Sequence, residues 1–134
     1  MEGKVRTKDL KQTAKFACSP HEIYEMLMDA EKHAQFTGSG AKISRKVGGK
    51  FETYDGWAYG KNVELVKDRR IVQLWRGDDW PEGHYSTVTF KLSKSGNGTK
   101  LEFTQKGIPV QFYKDISEGW KEYYWKAMKE HLEA

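Results

Sequence analysis

Reactive side chains are densest in WRGDDWPEGHYSTVTF, residues 75–90, where two adjacent acids and a histidine stand among tryptophans and β-forming residues. Asp78 and Asp79 are sequence neighbours, so a strand would point them to opposite faces and a turn would leave both in water. Neither geometry makes a cooperating acid–base pair. Pro81 and Gly83 are turn formers, and the stretch reads as a hairpin corner with no catalytic duty. The histidines, His21, His33, His84 and His131, show no His-x-x-x-His or Glu-x-x-His spacing, so no metal is expected. Ser86 lacks the Gly-x-Ser-x-Gly context, and Cys18 stands before a helix start without an assignable histidine. GSG (38–40) and VGGKF (47–51) lack the glycine spacing that cradles phosphate. With no nucleophile, metal or nucleotide site in view, the chain is expected not to be an enzyme and to carry no cofactor.

What remains is aromatic. Trp57, Tyr59, Trp75, Phe90, Phe103, Trp120 and Tyr124 could fill the interior or line a cavity for a small hydrophobic ligand, with Arg76 and His84 as polar anchors. Trp75 shares strand parity with Ile71 and is expected to face inward. Trp80 falls in the loop, where an exposed ring would mark a contact surface.

These residues need elements to position them. Residues 5–17 read as a strand, with Leu10, Ala14 and Phe16 on one face and Lys11, Thr13 and Lys15 on the other. In SPHEIYEML, Ser19 caps a helix, Pro20 takes the first helical position, and Glu22 completes the capping box. Ile23, Met26, Leu27 and Ala30 form its apolar side, and a short helical turn, EKHAQF, follows before TGSG breaks it. From Ala41 to Gly107, short β-rich runs are divided by turn signals at GG, DG, KDRR, DDWPEG and SGNG, the rhythm of an antiparallel meander. Ser86, Val88, Phe90 and Leu92 alternate with polar residues, as do Leu101 and Phe103 after the SGNG turn, so these two strands should pair. At about 3.3 Å per residue the run 84–94 is long for a small domain, which suggests a bent sheet.

The end of the chain, DISEGWKEYYWKAMKEHL, reads as a helix capped by Asp115 with Glu118 in the reciprocal position. Its expected apolar stripe is Ile116, Trp120, Tyr123, Tyr124, Ala127 and His131. Strands in succession with helices at the two ends describe an α+β layer fold. If the sheet bends, the long helix can lie in its concave face and leave a pocket between.

At 134 residues without repeat or linker, one domain over 1–134 is expected. Cys18 is the only cysteine, which excludes an internal disulfide and suits a reducing compartment. MEGKVRTKDLKQTAKF has no apolar core of signal-peptide length, and no apolar run is long enough for a membrane span, so a cytoplasmic location is expected. The net charge of +4 comes from lysines scattered among acids. Even Lys4, Arg6, Lys8, Lys11 and Lys15 read as solvated surface and not as a nucleic-acid face.

Four phrases, VGGKFETYDG (47–56), IVQLWRGDDWPEGHYSTVTF (71–90), GTKLEFTQKGIP (98–109) and GWKEYYWKAMKEHL (119–132), carry a resemblance. In order, they resemble the carboxy-terminal domain of the activator of the ninety-kilodalton heat-shock chaperone's ATPase. WPEGH before an alternating strand, with GW and a tyrosine-rich helix at the end, is specific for that family. The chain is similar more distantly to the START-like, or SRPBCC, hydrophobic-ligand binders. The resemblance implies the helix-grip (START-like, Bet v 1-like) fold, with about six or seven strands wrapped on a long C-terminal helix and two short helices after the first strand. It also implies the chaperone as partner, docked through its nucleotide-binding domains, and guides a partner surface onto Asp55, Trp80, Glu82 and His84. The family's two-domain members add an Asn-rich, tryptophan-containing N-terminal domain that drives activation, which these residues do not contain. A stand-alone copy is then expected to bind the chaperone weakly, to act with another protein, or to hold a small molecule.

Overall fold

The computed structural model describes residues 5–133, so Lys4 of the amino-terminal basic group lies outside the described residues, as do the two ends of the expected 1–134 domain. The chain runs β1 (Thr7–Phe16), α1 (Pro20–Met28), α2 (Ala30–Thr37), β2 (Lys42–Ile43), β3 (Lys50–Thr53), β4 (Ala58–Val66), β5 (Arg70–Gly77), β6 (Ser86–Ser95) and β7 (Gly98–Pro109). A 3₁₀ turn at Val110–Phe112 then leads into α3 (Tyr113–Gly119), a π-helical segment (Trp120–Lys126) and α4 (Ala127–Glu133). The strands make one antiparallel sheet in the order β1-β7-β6-β5-β4-β3-β2. This is the expected α+β helix-grip arrangement, and each expected turn signal sits between two successive strands from β2 to β7.

The period-2 pattern sets the inner face. Leu10, Ala14 and Phe16 on β1 and Ser86, Val88, Phe90 and Leu92 on β6 are buried, while their neighbours point to solvent or lie half-buried. The sheet bends at irregular points: register slips between Lys8 and Leu10 and between Asn62 and Glu64. Gly60 lets β4 approach β5 so closely that a Cβ there would lie 1.7 Å from the Leu74 carbonyl oxygen.

Helix α1 starts as read, with Pro20 in the first turn and Ser19 Oγ accepting the Glu22 N–H at 3.2 Å. The Glu22 side chain lies beside Cys18. Burial first, then that carboxylate, pushes the thiol up to about 11.

The terminal helix departs from its expected form in two ways. It begins at Tyr113, so Asp115 sits inside the first turn and caps nothing; Phe112, at the cap position, makes no side-chain bond. Gly119, Trp120 and Ala127 all stay in the right-handed region, so α3, the π segment and α4 form one unbroken rod. The wider π turn moves the buried face onto Ile116, Trp120, Tyr124, Trp125 and Met128. Tyr123 and His131, placed inward by a strict helical period, are exposed.

Contacts of the rod show how far the sheet curls. Trp125 Nε1–H donates to Gln12 Oε1 on β1 at 2.7 Å, and Trp120 Nε1–H donates to Gln105 Oε1 on β7 at 2.7 Å. At the other end of the sheet the Tyr54 hydroxyl, between β3 and β4, donates to the Tyr123 carbonyl at 2.8 Å. One helix touching both flanks of a seven-stranded sheet requires the sheet to wrap round it.

Candidate functional site

Beneath the rod the interior is filled. The Trp120 ring lies 4.4 Å from Phe103, 4.4 Å from Tyr124, 5.7 Å from Trp75 and 5.8 Å from Phe90, centroid to centroid. Its indole N–H starts a buried relay, because Gln105 Nε2 donates on to Ser86 Oγ at 2.9 Å, and Ser86 Oγ donates to the Trp75 carbonyl at 2.8 Å. A void of about 20 Å³ remains, lined in part by Trp75, Phe90, Trp120 and Tyr124, which is room for about one water.

On one wall of that void His33 Nε2 and the Tyr124 hydroxyl share a hydrogen bond of 2.9 Å. His33 Nδ1 and Thr53 Oγ1 are buried without a partner. Burial holds His33 down at about 4, so it is neutral at ordinary pH, and burial raises the Tyr124 hydroxyl above its usual range. A free histidine titrates near 6.5, so between about pH 6.5 and pH 4 the unfolded chain takes up a proton that the folded chain refuses. The stabilisation is whole above about pH 6.5 and is lost as pH falls towards 4, by roughly 3 kcal/mol in all. Urea unfolding at pH 7 and pH 4.5 is expected to show His33→Gln losing less stability on acidification than the parent chain. Equal losses in the two proteins would contradict it.

A second space, an open groove of about 550 Å³, lies on the outside of Trp120. The rod forms one wall through Asp115, Ile116, Gly119 and Tyr123, with Phe112 just before it. The turn between β3 and β4 forms the other through Tyr54 and Trp57, while Thr37, Ser39 and Asp79 close the rim. Tyr54 and Asp55 both take left-handed backbone angles, φ 53° and 58°, in a tight turn closed by Gly56 N–H to the Thr53 carbonyl. Asp55 is anchored at 2.8 Å by the Gly40 N–H.

Of the residues expected to line a ligand cavity, Trp57, Trp75, Trp120 and Tyr124 do meet at this groove. Phe90 reaches only the small void, and Phe103 is sealed below Trp120. Tyr59 lies on the opposite face of the sheet, its ring 5.5 Å from the Arg76 guanidinium.

The polar anchors need correcting. Arg76 alternates with Trp75 on β5 and so leaves the inner face. Its guanidinium donates to the carbonyls of Gly77, Pro81 and Trp80 at 3.2, 3.0 and 2.8 Å, and to that of Asp78 at 3.4 Å. His84 Nε2 bonds the Gly107 carbonyl at 2.7 Å. Both side chains hold the corner together, and neither lines the void or the groove.

Of the expected partner surface, Asp55 and Glu82 are exposed, but Trp80 is only 4% exposed. Its ring is covered by Trp75 at 5.4 Å and stacked on Phe112 at 6.2 Å, because the segment after β7 passes over the corner. Asp79, Asp115, Phe112 and Tyr54 were not expected at a site. The expected DG turn at 55–56 and Trp57 belong to the wall that Tyr54 shares.

Comparison with known proteins extends the resemblance. Residues 17–133 match the family described as Activator of Hsp90 ATPase homolog 1-like protein. The chain is 39% identical over 119 residues to the Activator of 90 kDa heat shock protein ATPase homolog of Dictyostelium discoideum, covering 88% of this chain and 31% of that protein. It is 35% identical over 121 residues to the Activator of 90 kDa heat shock protein ATPase homolog 1 of Homo sapiens, covering 90% and 35%. The chain thus spans about a third of the length of these curated relatives. The crystal structure of an HSP90 activator from Plasmodium falciparum superposes with a TM-score of 0.86 at 29% identity, covering 92% of this chain and 95% of that one. Since the match runs from the end of β1 through the rod that closes the grip, the chain belongs to the Activator of Hsp90 ATPase homolog 1-like family.

Proposed function

We propose that this domain is a non-enzymatic co-chaperone module of the cytoplasm that docks on the nucleotide-binding region of a ninety-kilodalton heat-shock chaperone and stimulates its ATP turnover. The observation that carries the reading is the family match over residues 17–133, with relatives at 39% and 35% identity named for that activity. The corner after β5 supports it physically. Arg76 and His84 brace a loop that presents Glu82 to solvent, and Gly40 braces the exposed Asp55. Exposed carboxylates on braced backbone of this kind dock with little ordering cost and steer a basic surface towards them.

The test is to add the purified domain to purified chaperone and follow its amide chemical shifts and the chaperone's ATP turnover. Saturable shifts at Asp55, Glu82 and their neighbours, weakened by salt, with a raised turnover, are expected. Unchanged shifts together with an unchanged rate would remove the reading.

A further inference from the structure

The groove outside Trp120 has features that packing does not require. Asp79 and Asp115 are exposed on its lining, and neither makes an ion pair or a side-chain hydrogen bond among the described residues. No lysine, arginine or histidine lines it, although the chain has 23 Lys and Arg against 19 Asp and Glu. Large rings on the same lining are left partly bare: Trp57 is 40% and Tyr123 is 59% exposed. Backbone irregularity gathers here too. The turn that holds the left-handed pair Tyr54–Asp55 supplies part of one wall through Tyr54, and the π segment supplies part of the other through Trp120, Tyr123 and Tyr124; such features concentrate at sites where function holds them in place.

We propose that this groove is a binding site for a small organic cation, an ammonium or quaternary ammonium group carried on an aromatic or aliphatic body. The electron-rich faces of Trp57, Tyr54 and Tyr123 attract such a group, and Asp79 and Asp115 supply the opposite charge. Ile116 and Phe112 offer apolar surface for the body, and about 550 Å³ falls within the range of small-molecule sites. A neutral ligand gains nothing from the carboxylates, and an anion is repelled by them. The charge of the site is therefore opposite to what Arg76 and His84 as anchors would have implied. The proposal stands apart from chaperone docking in its ligand and its readout, although the turn at 54–57 and the corner at 78–83 border both surfaces.

The experiment titrates the full chain with benzyltrimethylammonium, 2-phenylethanol and phenylacetate in turn, following tryptophan fluorescence and amide shifts. Saturable shifts at Tyr54, Trp57 and Gly119 with the cation alone are expected. The Asp79→Asn/Asp115→Asn double variant should weaken that binding about tenfold, as should Trp57→Ala. All three residues are exposed, so thermal midpoints close to the parent's will show that the fold persists. Equal binding of 2-phenylethanol, preference for phenylacetate, an unaltered affinity in the double variant, or no saturation by about 10 mM cation, where binding would be weaker than about 3 kcal/mol, would each overturn the proposal.

Discussion

Trp120→Ala is expected to remove roughly 4 kcal/mol of stability, lowering the urea midpoint by about 2 M. The ring is 3% exposed and is the hub of the grip, in contact with Phe103, Tyr124, Trp75, Phe90 and Trp125. Truncation loses that dispersion and leaves a cavity that a sheet held on both flanks cannot close. It also strips the Gln105 side-chain Oε1 of its donor, and Gln105 is fully buried, so the relay to Ser86 loses its outer partner. Trp120→Phe separates the two effects. It keeps most of the packing and loses the hydrogen bond, so it should cost about half as much. For a domain whose whole stability is about 5–15 kcal/mol, the alanine variant is near the limit of folding, and the phenylalanine variant supplies the measurable step. An alanine variant within about 1 kcal/mol of the parent would show that the rod is not what holds the sheet.

How far the sequence disclosed this arrangement depends on the range of each signal. Alternation on β1 and β6 is local, and the burial of Leu10, Phe16, Val88 and Phe90 follows directly from it. The Ser19 cap and the turn pairs are local too. The π segment is not legible in the sequence because a period of 3.6 residues per turn presupposes α-helical geometry. That period puts Tyr123 and His131 on the inner face and leaves out Trp125 and Met128. Trp80 was misread for another reason. A loop position suggests exposure, but the Trp75 ring and Phe112, from the segment that passes over the corner after β7, cover the ring. Asp115 looked like a cap because the acid precedes a helical pattern. With the 3₁₀ turn starting the helix earlier, the carboxylate is left free at the groove. Long-range contacts thus decided which residues line the candidate sites, whereas short-range periodicity decided the elements beneath them.

Arg76 is the sharpest case, and its removal is the second large effect expected. Strand parity sends it to the outer face of β5, opposite Tyr59 in register, where a charged residue ordinarily meets water. Here it is 6% exposed, covered by the Tyr59 and Tyr85 rings at 5.5 and 5.9 Å and by the loop folded back on it. No carboxylate pairs with it among the described residues. Main-chain carbonyls of the corner solvate the charge instead, and the planar fork reaches those of Gly77, Trp80 and Pro81 together. Arg76→Ala should cost roughly 4 kcal/mol, because charge-assisted bonds are lost and their acceptors are stranded. Arg76→Lys keeps the charge but presents a point donor that cannot span the same carbonyls, so about half that loss is expected. The corner should respond beyond the global change: hydrogen exchange at the Trp80 and His84 amides, bonded to the Gly77 and Pro81 carbonyls, should quicken more in the lysine variant than exchange in β7. Exchange at these amides tracking β7 would mean the loop keeps its form without the guanidinium, and the support it lends to Glu82 would then have to come from His84 alone.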